Sequence, residues 1–234
     1  KLPPHIQVWP GHGAGSACGK ALGSVPSSTV GYEKIRNWAF RYESDEEGFV
    51  QYLLEGQPEP PKYFAMMKKL NKIERPLLTE VPKHPKLSET EFLQKYTDGI
   101  KVIDTRNKVE FAKGFIPGSI NIQNNKTLST WAGWLLSYDE DFVIVAAEEE
   151  MDEITRKLMR IGLDRIAGFI SDVNLPGIEL QKADVIDIEE FKTYLGKEEV
   201  QIVDVRGKTE YEEGHVEGAE NIFVGTLQQN LDKI

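Results

Sequence analysis

The chain carries one pattern twice. Asp104-Thr105-Arg106-Asn107-Lys108-Val109-Glu110-Phe111 is followed by Gly114, Gly118 and Asn121-Ile122. One hundred residues later come Asp204-Val205-Arg206-Gly207-Lys208-Thr209-Glu210-Tyr211, then Gly214, Gly218 and Asn221-Ile222. Asp, Arg, Lys, Glu, both glycines, Asn and Ile recur at the same offsets. A spacing near 100 is too long for a solenoid unit and predicts two tandem copies of one domain.

Local signals define what each copy folds into. Each opens on a helix start: Ser88-Glu89-Thr90-Glu91 in the first copy, Asp187-Ile188-Glu189-Glu190 in the second. A side-chain oxygen there accepts from the backbone three residues on, and the Glu can reach back. The β-branched runs 100–103 and 200–203 predict buried parallel strands. Short helices begin near Asn107 and Lys208 and stop at Gly114 and Gly214. The first copy continues with a strand over 142–146, a helix over 153–161 ending at Gly162, and a strand over 165–167. Strand, helix, strand, helix is the α/β signature.

Residues 1–80 read differently. A short strand at Ile6-Gln7-Val8-Trp9 enters a small-residue loop, Pro10 to Gly19. Helices are predicted over 29–42 with Ser28 as cap, over 45–54 and over 62–73. Prolines at 82 and 85 break helix and sheet and predict a linker. Asn174-Leu175-Pro176-Gly177 predicts a weaker joint. The expected domains are 1–80, 85–175 and 184–234.

Composition excludes some functions. Lys and Arg total 28 against 38 Asp and Glu, a net charge of −10. That removes the basic footprint of a nucleic-acid binder and the polybasic patch of a membrane-surface protein. The longest apolar run, Phe142 to Ala147, is far below the roughly 18 residues of a membrane span. One cysteine among 234 residues rules out an internal disulfide and predicts a reducing, cytoplasmic setting. The opening Lys1-Leu2-Pro3-Pro4 has neither Met nor a signal-peptide pattern, so the sequence is expected to be a piece of a longer protein.

The Asp-x-Arg, Glu, Gly-His-x-x-Gly-Ala, Asn pattern resembles the rhodanese (sulfurtransferase) family. The second copy matches more fully, with Asp204, Arg206, Glu210, Gly214-His215-Val216-Glu217-Gly218-Ala219 and Asn221. The first keeps Asp104, Arg106, Glu110, Gly114, Pro117-Gly118 and Asn121, with Phe115 where the family usually has His. Gly11-His12-Gly13 followed by Ser28-Thr29-Val30-Gly31-Tyr32-Glu33 resembles the end of a metallo-β-lactamase-fold domain of the persulfide dioxygenase and glyoxalase II branch. The implied fold is α/β: a rhodanese-like parallel-sheet domain, preceded by C-terminal helices of a metallo-β-lactamase fold and followed by a partial second rhodanese unit.

Rhodanese chemistry needs a cysteine thiolate in a loop before a helix, where backbone N–H groups stabilise negative charge. At that place the first copy reads Ala147-Glu148-Glu149-Glu150-Met151-Asp152-Glu153, with no cysteine and five acids among its last six residues. This repeat is expected to be inert, a spacer or docking domain. The second copy reaches Ile234 before the corresponding loop. Asp104, Arg106, Asp204 and Arg206 are expected to position structure rather than do chemistry, and His215 to be a packed turn residue. An unfinished second domain predicts sparse packing over 184–234 or pairing with a second copy.

The resemblance implies a parent enzyme that holds Fe(II) and oxidises low-molecular-weight thiol persulfides. His12 then stands as a metal ligand, an outer-shell residue or a structural residue of the full-length protein; the remaining ligands would come from elsewhere. Cys18 is either a small packing residue or a pocket thiol that carries sulfane sulfur. Nucleic-acid and membrane partners are not expected; a homo-oligomer is left open. The competing readings are a non-catalytic rhodanese-homology interaction module and a glyoxalase II-type hydrolase.

Overall fold

The computed structural model describes residues 2–11, 27–55, 61–75 and 77–234. They divide into two units, Lys1–Glu59 and Pro60–Ile234.

In the first unit, strand β1 (Gln7–Val8) pairs antiparallel with β2 (Ser28–Thr29). Helix α1 (Val30–Arg36) follows, capped by Thr29, whose Oγ1 accepts from the Tyr32 N–H at 3.2 Å. Two expectations are corrected here. Ser28 sits in β2 and does not cap, and the helix predicted over 29–42 breaks at Asn37. The Asn37 side chain donates to Glu33 at 3.0 Å and accepts from the Ala39 N–H at 3.0 Å. It thereby offers the backbone an alternative to continued helix. A 3-10 segment, Trp38–Tyr42, takes over. Helix α2 (Glu46–Leu54) is capped by Asp45. Trp38, Tyr42, Phe49 and Tyr52 form an aromatic cluster with ring centroids 4.3–6.4 Å apart.

The second unit begins with helix α3 (Lys62–Leu70), a turn shorter than predicted. Helix α4 (Glu89–Thr97) starts at a complete capping box, with Ser88 Oγ accepting from Glu91 N–H and the Glu91 carboxylate accepting from Ser88 N–H. Then come β3 (Lys101–Asp104), α5 (Lys108–Lys113), β4 (Ile120–Asn121), α6 (Leu128–Leu135) and β5 (Phe142–Val145). A 3-10 turn, Glu148–Glu150, leads into α7 (Met151–Met159), which Gly162 closes at φ 72°. Strand β6 (Ile166–Ile170) runs three residues past the predicted end.

These strands make one parallel sheet in the order β4-β3-β5-β6. Phe142-Val143-Ile144-Val145 is apolar on both faces and lies at its buried centre. On one face Ile103 and Ile144 pack with Leu128, Ala132, Ile154 and Leu158. On the other, Val102, Val143 and Val145 pack with Phe92, Ile116 and Leu175. Burying a side chain such as Phe92, with no exposed surface, contributes about 1.5–3 kcal/mol.

The chain does not leave the first repeat at the predicted joint. Leu175 is buried, Ile178 and Leu180 pack beside it, and Phe115 and Gln181 exchange backbone hydrogen bonds of 2.9 Å. Apolar contact with the sheet outweighs the turn residues of 174–177.

The second repeat forms α8 (Ile188–Lys192), β7 (Val203–Asp204), α9 (Lys208–Glu213) and β8 (Glu220–Asn221). Strand β7 starts three residues later than expected and pairs, in parallel, with β8 alone among the described residues. Its counterpart β3 is held from both sides. The sparse packing expected for 184–234 is present: its buried hydrophobics are Ala219 and Ile222. Within this unit the 3-10 segment Val224–Gln229 packs on α6 through Phe223 and Trp134, whose rings meet edge-on at 5.1 Å.

Candidate functional site

Asp104 ends β3 and is fully buried. A buried carboxylate needs partners for its lone pairs, and Arg106 supplies them. Arg106 Nε donates to Oδ1 at 3.0 Å and Nη2 to Oδ2 at 2.6 Å, while the Arg106 backbone N–H donates to Oδ1 at 3.0 Å. The same Nη2 reaches the Gly114 carbonyl at 2.9 Å and so holds the end of α5. Asn121 Nδ2 donates to the carbonyls of Asp104 and Arg106, both at 2.9 Å. Strand end, helix end and return strand are thus tied by three side chains.

The second repeat builds the same clasp. Arg206 donates to Asp204 at 3.0 and 2.6 Å and to the Gly214 carbonyl at 2.8 Å; Asn221 donates at 2.9 Å to Asp204 and Arg206. Here the pair is more open, with side chains 46% and 11% exposed for Arg206 and Asp204, against 27% and 0% for Arg106 and Asp104. The Arg206 side chain, then its backbone N–H, hold the Asp204 carboxyl below the usual aspartate range. In both copies the guanidinium is committed to its own strand and helix, so the arrangement positions backbone and leaves no free fork for an anion.

His215 stacks on Tyr211 at 3.7 Å, and its Nδ1 lies 2.8 Å from the Tyr211 carbonyl. The carbonyl can only accept, so Nδ1 carries the proton. The first repeat keeps this stack as Phe111 on Phe115, at 4.3 Å, without the hydrogen bond.

After β5, where a sulfur-carrying loop would stand, the chain makes the 3-10 turn Glu148–Glu150. Glu148 pairs with Lys86 at 3.2 Å, Glu150 accepts from Asn124 at 3.3 Å, and Asp152 and Glu153 pair with Arg156 and Lys157 one turn along α7. Lys157 beside Glu153 holds its carboxyl below the usual glutamate range. The turn offers neither a nucleophile nor an anion-welcoming surface. His12 and Cys18 lie outside the described residues. Sequence reasoning missed Lys86 and Asn124, which meet the acidic turn only through the fold.

Residues 88–170 and 187–234, together more than half of the chain, match the model of the rhodanese-like domain. The chain belongs to the rhodanese-like family. Its α/β class and parallel sheets are those expected from the sequence. Among solved structures, one described as a metallo-beta-lactamase from Staphylococcus aureus subsp. aureus COL is 39% identical, with a TM-score of 0.58. The match covers 73% of this chain and 47% of that one, so the chain spans about half of its length. A rhodanese-like domain from an Anabaena sp. protein is 16% identical, with a TM-score of 0.37, over 52% of this chain and 93% of its own. An anaerobic ergothioneine biosynthesis enzyme from Chlorobium limicola is 12% identical, with a TM-score of 0.37, over 62% of this chain and 42% of its own. Likenesses this distant bear on neither repeat's chemistry. No curated protein matches. Among the described residues of this rhodanese-like chain, no helix is long and apolar enough to cross a membrane.

Proposed function

We propose that this chain is part of a longer, cytoplasmic persulfide dioxygenase–sulfurtransferase, in which the first rhodanese-like repeat is an inert spacer or docking domain. One observation carries the reading. The S. aureus protein described as a metallo-beta-lactamase matches 73% of the chain, and less than half of the chain lies outside the rhodanese-like segments. Its match must therefore run into those segments, which supports a lactamase-fold domain joined to rhodanese-like units.

The reaction under this reading takes a low-molecular-weight thiol persulfide, dioxygen and water to the thiol and sulfite. Iron would supply oxygen activation. Among the described residues no group of three or more His, Cys, Asp or Glu could hold a metal ion. They do not fit the iron, and no step is derived through it. The described residues contribute structure: paired clasps that fix the strand ends, and an acidic turn in place of a sulfur-carrying loop.

The test is oxygen uptake by the longer protein supplied with a thiol persulfide. Persulfide-dependent uptake with sulfite release is the expected result. Thioester hydrolysis without oxygen uptake would establish the hydrolase instead. Replacement Cys18→Ser separates the two roles of that thiol: a packing residue leaves sulfite release unchanged, a sulfur carrier does not.

A further inference from the structure

Strand β6 is the last strand of its sheet, yet its outer edge is not bare. Residues 85–87 lie along it, with Lys86 in a parallel bridge to Phe169. Leu87 N–H donates to the Phe169 carbonyl at 2.9 Å, and Phe169 N–H donates to the Pro85 carbonyl at 3.0 Å. The close approach depends on Gly168, at φ 147°, where a Cβ would come within 2.8 Å of the Leu87 side chain and 2.9 Å of the Pro85 carbonyl. Leu87 joins the apolar cluster on that face, and Lys86 ties the segment to Glu148 at 3.2 Å.

One polar atom in this segment is out of place. His84 Nε2 is buried and has no hydrogen-bond partner. Asp164, which is paired with Arg75 at 2.8 Å, acts on the ring through its charge. Lys83 flanks His84 on its own segment. Burial pushes the His84 imidazole below its ordinary range, against the opposing pull of the Ile166 main chain and Asp164. A neutral ring tolerates a buried, unpartnered nitrogen; charging the ring puts a cation where Nε2 has no hydrogen-bond partner and little water.

We propose that residues 84–87 form a strap on the free edge of the sheet, closed while His84 is neutral and released when it gains a proton. The sign follows from linkage. A histidine whose bound form resists protonation costs nothing above the unconstrained value of about 6.5, and favours the detached form progressively below it. Release would bare the β6 edge and break the Lys86–Glu148 pair. The inference is independent of the reaction proposed above.

The experiment is amide hydrogen exchange at Leu87 and Phe169 between pH 5 and 8, corrected for intrinsic exchange, in the wild-type chain and in His84→Leu. Protection in the wild type is expected to fall severalfold below about pH 6.5, with a flat profile in the variant. Identical profiles in the two would overturn the proposal. Ring titration of His84 in the wild-type chain by NMR gives a second reading that needs no variant: a midpoint below about 6.5 supports the strap, and one at or above it overturns it.

Discussion

Tyr63 of α3 fills the space that any side chain at position 133 would need: a Cβ on Gly133 would lie 2.8 Å from Tyr63 Cγ. On the same helix, Trp134 packs against Phe223, and a Cβ on Gly225 would lie 2.7 Å from Trp134 Cε3. Helix α6 therefore joins α3 and the second repeat to the first. Gly133→Val is expected to cost about 1–3 kcal/mol through overpacking, read as a lowered urea midpoint. Trp134→Ala is expected to cost about 3–5 kcal/mol and to speed amide exchange over 203–222 ahead of β3. Unchanged exchange there would show that the second repeat does not depend on α6.

The two clasps differ in burial at matched geometry. Asp104→Asn strips a fully buried carboxylate from Arg106, which is 27% exposed. Its expected cost is about 3 kcal/mol, at the lower end for a broken buried pair because the guanidinium can still reach water. Asp204→Asn should cost clearly less, since its pair is more open. Paired urea titrations check the order; equal losses would contradict it.

Acid should reach the second clasp late. Arg206 keeps the Asp204 carboxyl below the ordinary aspartate value. A depressed carboxylate contributes its stability above the unfolded value of about 3.9, and loses it as pH falls through the folded value. A carboxyl NMR titration is expected to place the Asp204 midpoint below about 3.9, and Arg206→Lys should raise it.

A thiol alone should not revive the first repeat. Glu148→Cys would place sulfur in the turn that leads into α7, but Glu149, Glu150, Asp152 and Glu153 would remain in the same stretch. Neighbouring carboxylates raise a thiol's pKa and repel thiosulfate. Thiosulfate:cyanide sulfurtransferase activity is expected to stay at background. Turnover above that of the unmodified chain would show that only the nucleophile was missing.

Much of this was legible because it is local. The capping box at Ser88 and the duplicated Asp-x-Arg draw their partners from nearby residues, and the strand at Phe142 shows in its own unbroken apolar run. What escaped depends on the third dimension. Asn37 reads as an acceptable helix residue until its side chain turns on its own backbone. Gly168 reads as a strand breaker, yet it admits the strap. Pro85 reads as a linker residue, yet a proline suits an edge strand, and its carbonyl accepts from Phe169. Gly133 gives no sign in sequence that Tyr63 will need its space. The paired acids of 148–153 were plain, but Lys86, 62 residues from Glu148, was not.

Each clasp also bears on the order in which the molecule assembles. Arg106 is two residues from Asp104 and eight from Gly114, and Asn121 is 17 from Asp104. Loops this short close on a scale of about 10–100 ns for ten residues, whereas long-range strand pairing is slow. The β3–β5 ladder must bring together residues some forty apart, such as Ile103 and Ile144. The clasps are thus expected to act as early folding nuclei, with φ-values at Arg106 and Asn121 exceeding those at Val143 and Ile144. The duplicated motif then supplies two independent starting points for folding in a single chain.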